Sequence, residues 1–128
     1  MGQVKIYGHA ATLSLHRQAL SDAIHGALVE AFSYPVEKRF QRFFPLTDED
    51  FVHPADRGQE YLIIEVVLFP GRSIVAKKTF YQKVLANLEP LGIKPHSVEI
   101  VLVESSRENW CIRGTPADEL ALNYRVEV

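Results

Sequence analysis

Apolar and polar residues alternate from Gln3 to Tyr7, the period of a strand with one buried face. From Ser14 to Phe32 the period lengthens. Leu15, Ala19, Ala23, Ala27 and Ala31, with Leu20, Ile24, Leu28 and Phe32 beside them, recur at helical spacing and predict an apolar face. His16, Arg17, Ser21, Asp22, His25 and Glu30 fall on the opposite, polar face. Pro35 breaks the pattern, and a second strand is expected near Arg39 to Phe44.

The same order then recurs, with an offset of about 59 residues that aligns Ser14 with Ser73. A strand from Tyr61 to Phe69 ends at Pro70-Gly71, and a helix opens at Ser73, a good N-cap residue. Ala76, Phe80, Val84, Leu88 and Leu91 form its buried stripe, while Lys77, Lys78, Gln82 and Lys83 take the exposed side. Gly92 and Pro95 stop it, and a strand follows over Val98 to Val103. Each half, about 2–46 and about 60–104, is therefore a β-α-β unit with parallel strands and a right-handed crossover.

The expected fold is α/β in the broad sense, an α+β two-layer sandwich within a single domain spanning 1–128. A four-stranded sheet carries two helices on one face. The run Leu62 to Phe69 is apolar on both sides and reads as a central strand. With both helices on one face, the other face is left uncovered and calls for a partner surface, so a homo-oligomer with the helix-free faces inward is expected. The alternating tail Leu122 to Val128 reads as a C-terminal edge strand, about 120–128. Thr47 to Gln59 is an acidic connector between the halves, too short for a domain linker.

Composition narrows the function classes. The 128 residues hold 14 Lys and Arg against 16 Asp and Glu, so the basic excess that phosphate neutralisation requires is missing and no nucleic acid partner is expected. Tyr61 to Pro70, interrupted by Glu65, is about half the length that crosses a bilayer. No membrane association and no secretory signal are expected. One cysteine, Cys111, excludes an internal disulfide and fits a reducing cytoplasm.

Five histidines, at 9, 16, 25, 53 and 96, show no metal-ligand spacing, so no metal site is expected. The chain carries no nucleophile elbow, phosphate-cradling glycine loop or dinucleotide fingerprint, and no cofactor is expected. Arg72, in Phe69-Pro70-Gly71-Arg72-Ser73, ends a strand and opens a helix. A guanidinium beside free helix N–H groups suits a carboxylate, although an arginine in a turn can also be plain surface. Trp110 can wall an apolar pocket or fill an interface, and Cys111 reads as a small inert hydrophobe. Lys38, Arg39 and Arg42 read as a charged strand edge.

Taken together, Asp22 to Phe32, Pro35, Arg39-Phe40-Gln41, Gly71-Arg72-Ser73 and Asn109-Trp110 on a duplicated β-α-β frame resemble the tautomerase superfamily. Within it, the likeness is greatest to malonate semialdehyde decarboxylase. The resemblance covers nearly the whole chain and implies a homotrimer with the sheets lining its inside. It also implies a chemistry in which an amino-terminal proline moves protons or acts as a cation while arginines hold a substrate carboxylate.

Matched residue by residue, the proline position is Gly2, and Lys38 stands where the decarboxylase pattern has an aspartate. Arg72 matches one arginine of a pair, Pro70 stands at the other, and Trp110 is matched. A primary amine on Gly2 or Met1 can still serve as a base near neutrality or form a Schiff base, because an α-amine titrates at about 7.7–8.0. The resemblance thus implies a tautomerase or decarboxylase acting on small 2-oxo, enol or semialdehyde carboxylic acids. Met1, Gly2 and Arg72 are the expected catalytic residues, and Arg72, Trp110 and Lys38 the substrate-binding ones. The alternative is a non-catalytic trimer that keeps the carboxylate pocket as a binding or interaction module.

Overall fold

The computed structural model describes residues 2–121 and 126–128. Strands β1 (Gln3–His9), β2 (Gln41–Leu46), β3 (Leu62–Leu68) and β4 (Val98–Glu104) form one sheet in the order β2-β1-β3-β4. Helices α1 (Ala10–Phe32) and α2 (Ile74–Leu88) are the crossovers. β1 pairs parallel with β2, and β3 parallel with β4. The two halves meet antiparallel through β1 and β3, where Ile6 lies opposite Ile64 and Lys5 opposite Glu65. A short hairpin of β5 (Cys111–Ile112) and β6 (Thr115–Pro116) follows the second unit.

Both helices cover one sheet face. Val4 and Ile6 of β1 and Leu62, Ile64, Val66 and Leu68 of β3 point into the core with Leu20, Ile24, Leu28, Phe32, Phe80, Val84 and Leu88 of the helices. Alternation in a strand sends every second residue to the other side, so Lys5, Tyr7, Ile63, Glu65, Val67, Val101 and Val103 form the helix-free face. On that face Tyr7 stacks on Phe44 at 4.7 Å, and Val101 and Val103 remain 45% and 40% exposed. Gly8 lets α1 and β3 close over β1, since a Cβ there would meet Leu62 at 2.9 Å and Leu13 at 3.0 Å.

Several expectations shift. α1 begins at Ala10, four residues before Ser14, because Ala10 and Ala11 are strong helix formers with no breaker after them. The added turn buries Leu13 completely, and the Thr12 hydroxyl donates to the Gln59 carbonyl oxygen at 2.7 Å. Leu15 is 77% exposed instead of buried. A strict four-residue row drifts by about 40° per step round a helix, so the row ending at Ala31 starts on the opposite side.

His25, expected on the polar face, is buried, and its Nε2–H donates to the Val36 carbonyl oxygen at 2.7 Å. That bond ties α1 to the chain leaving it. No tail strand is present in residues 120, 121 or 126–128; Leu122 to Arg125 of that expectation lie outside the described residues, as does Met1. Ser73 does cap α2, its Oγ accepting from the Ala76 N–H at 3.1 Å. Among the described residues, no helix is long and apolar enough to cross a membrane.

Candidate active site

α1 ends at Phe32, and Ser33, its C-cap, adopts a left-handed backbone (φ 55°) that turns the chain out of the helix. The next residue, Tyr34, is thereby carried to the start of β1. The fit there is tight: a Cβ on Gly2 would lie 2.1 Å from the Tyr34 Oη. By covalent geometry the hydroxyl stands within about 3.6 Å of the Gly2 Cα. Only glycine leaves the phenol room in this position.

Arg72 reaches the same place from the second unit. Gly71 (φ 132°) turns the chain out of β3, and the Arg72 side chain folds back inward, so the residue is only 5% exposed and not a surface arginine. Its Nη1 donates to the Phe69 carbonyl oxygen at 3.0 Å. Its guanidinium carbon lies 5.4 Å from the ring centres of both Phe32 and Tyr34. The Nε and Nη2 atoms have no hydrogen-bond partner among the described residues.

A guanidinium keeps its charge at any physiological pH, and leaving its donors dry costs several kcal/mol, about what a bound anion returns. Tyr34 and Phe32 offer only π-faces to it. The chemical capacity of the arrangement is therefore to accept an anion at Nε and Nη2, beside a phenol and the amino-terminal end of β1.

Trp110 is joined to this group through Phe69. The indole meets the Phe69 ring edge-on at 5.2 Å, and its Nε1–H donates to the Ser105 carbonyl oxygen at 3.1 Å. The indole also lines a cavity of about 330 Å³ with Gln3, Phe40, Cys111, Ile112 and Arg113. The indole thus packs against Phe69 and lines the cavity.

Arg113 and Gly114 have positive φ (51° and 82°), the backbone of a two-residue hairpin turn. That turn sets Arg113 at the cavity. Gly2 and Arg72 thus meet around Tyr34, and Trp110 and Gln3 border the adjoining cavity. Lys38 stands apart in the turn after Pro35, tied by its backbone N–H to the Pro35 carbonyl oxygen at 3.0 Å. Its side chain makes no hydrogen bond or ion pair with these residues among the described ones.

A family model described as tautomerase enzyme matches residues 38–113, more than half of the chain. The chain belongs to this tautomerase family. A probable tautomerase, YusQ of Bacillus subtilis (strain 168), is 24% identical over 113 residues, covering 84% of this chain and 89% of that protein. The FG41 malonate semialdehyde decarboxylase, solved with 3-bromopropiolate as inhibitor, superposes with a TM-score of 0.82 at 27% identity, covering 94% of this chain and 98% of the other. An asymmetric trimer of a fused 4-OT shares the fold at a TM-score of 0.78 and 16% identity, covering 91% and 96% of the two chains. The family and fold expected from the resemblance are those found.

Proposed function

We propose that this tautomerase-family chain is an enzyme of proton transfer or decarboxylation on small 2-oxo, enol or semialdehyde carboxylic acids. The observation that carries the reading is the buried Arg72, whose Nε and Nη2 have no hydrogen-bond partner among the described residues. A planar carboxylate fits two adjacent guanidinium donors. Held there, it would bring its α-carbon toward the amino-terminal end of β1, where an amine on Gly2, or on Met1 if that residue is kept, would move the proton. Lys38 would add positive potential from the turn, and Trp110 would keep the adjoining cavity dry.

The working unit in this reading is a homotrimer. It is supported by the helix-free sheet face, with Val101 and Val103 half-exposed, and by the trimer of the fused 4-OT neighbour. A cytoplasmic location is supported by the single free cysteine.

The second reading, a binding module without turnover, is favoured by one observation: the Tyr34 hydroxyl fills the space that any side chain at position 2 would need. Two measurements separate the readings. Ketonisation of aryl and dienol 2-oxo acids, followed by ultraviolet absorbance, is expected to run above the buffer rate in wild type and to fall by at least about ten-fold in Arg72→Ala. Trp110 is the only tryptophan, so its fluorescence reports occupancy of the cavity directly. A saturable fluorescence change without turnover selects the binding module. Equal turnover in Arg72→Ala and wild type rejects the carboxylate role of Arg72.

A further inference from the structure

The opposite end of β1 carries a linked polar group that the Arg72 site does not use. His9 is 3% exposed, and its Nδ1 lies 2.8 Å from Oδ1 of Asp48. Its Nε2 lies 2.7 Å from Nε2 of His53. His53 in turn has its Nδ1 2.9 Å from the carbonyl oxygen of Pro54. Phe51 packs on both imidazoles with ring centres 5.0 Å away, and Tyr61 packs on His53 at 4.7 Å, so the rings are held in place.

The protons in this chain of contacts can be counted. A carboxylate and a backbone carbonyl only accept, so both Nδ1 atoms must carry hydrogen. The contact between the two Nε2 atoms needs one hydrogen more. Three ring protons are required, and two neutral imidazoles supply two. We propose that His9 and His53 share one extra proton and, with Asp48, form a charge-dependent clasp that pins the 47–59 connector to the start of α1.

The surroundings fit one positive charge. Asp48 supplies the opposite charge at the His9 end. The Tyr61 phenol beside His53 stays neutral, since burial, and after it the hydrogen bond with Glu99, push its pKa up to about 12. The positive end of α1 opposes the charge, which makes the Asp48 contact the necessary one. Further along the connector Arg57 and His96 both pair with Asp56, an exposed group outside the clasp.

Removing the shared proton leaves two lone pairs facing each other, either between the rings or against Pro54. The clasp is therefore closed while the shared proton is present and loosens when it is lost. Roughly 20 Å of β1 separate it from Gly2, so it governs the connector and not the Arg72 site.

The test uses the full chain. Ring ¹⁵N chemical shifts of His9 and His53 at about pH 5.5 are expected to show both Nδ1 atoms protonated and a third proton between the Nε2 atoms. Amide-exchange protection of residues 49–57, corrected for intrinsic base catalysis, is expected to fall about five-fold between about pH 5.5 and about pH 8.5. In His53→Phe, which keeps the ring stacking without the protons, protection is expected to be low and independent of pH. An unprotonated Nδ1 on either ring at the acid end overturns the clasp. So does a protection profile that changes equally in His53→Phe and wild type. The ring shifts need no variant, so a poorly folding mutant leaves the test intact.

Discussion

Gly2 and Tyr34 show how one missing Cβ shapes a site. A methyl group at position 2 would overlap a buried phenol whose ring lies under the Arg72 guanidinium, at 5.4 Å. Gly2→Ala is expected to cost about 1–3 kcal/mol by chemical denaturation. In a Tyr34→Ala background the same change is expected to be near neutral, a coupling that a double-mutant cycle measures. The same contact bears on any attempt to place proline at position 2, which is expected to need the Tyr34→Ala background before it folds well. Tyr61 makes a second prediction at this scale. Its phenol is held neutral up to about 12 by burial and then by Glu99, whereas an unfolded tyrosine ionises near 10. The unfolded state therefore releases its proton first, and stability is lost as pH rises through this window. Melting temperatures measured from about pH 10 to about pH 12 are expected to fall more steeply in wild type than in Tyr61→Phe.

At the scale of elements, the β3-α2 junction has two jobs. Ser73 caps α2 through its Oγ, and the same hydroxyl donates to the Val128 carbonyl oxygen at 2.8 Å. Val126 packs with Phe69 and Ala117, and its carbonyl oxygen would stand 3.1 Å from a Cβ on Gly71. Residues 126–128 thus lie against the turn that carries Arg72. Ser73→Ala is expected to cost about 1–2 kcal/mol, more than a cap alone, with faster amide exchange at both Ala76 and residues 126–128. Ser73→Asp separates the two contacts: it retains the cap acceptor and loses the donor to Val128, so the loss should then be confined to residues 126–128. The periodicity of α2 placed four of its five stripe residues, since Ala76, Phe80, Val84 and Leu88 are the buried residues of that helix, whereas Leu91 lies in the turn that follows and is only half-buried. For α1 a four-residue row misplaced Leu15, because only mixed three- and four-residue spacing stays on one side over six turns.

At the scale of the whole molecule, two helices cover one face of a four-stranded sheet and leave the other open, with the Lys5–Glu65 ion pair at its centre (3.8 Å). Half-exposed Val101 and Val103 on β4 give that face an apolar margin. In the trimer reading, sedimentation or native mass is expected to return about three times 14.5 kDa. The double variant Val101→Asp/Val103→Asp is expected to shift the mass to one chain, because paired carboxylates cannot be buried against another apolar face. A wild-type mass of one chain rejects the trimer.

The duplicated β-α-β plan, the uncovered face, the Ser73 cap and the tautomerase likeness were all legible along the chain. Each rests on local periodicity or on short runs of residues, which do not depend on what lies across the fold. Arg72 and Trp110 were legible as candidates, but whether Arg72 was surface or buried was not. Tyr34 at Gly2, Phe40 and Arg113 at the cavity, and His9 against His53 were invisible, since each joins residues far apart in sequence whose types carry no shared spacing. Burial is set by neighbours that arrive only when the two units close, so packing alone made Arg72 a buried cation and the two histidines a pair.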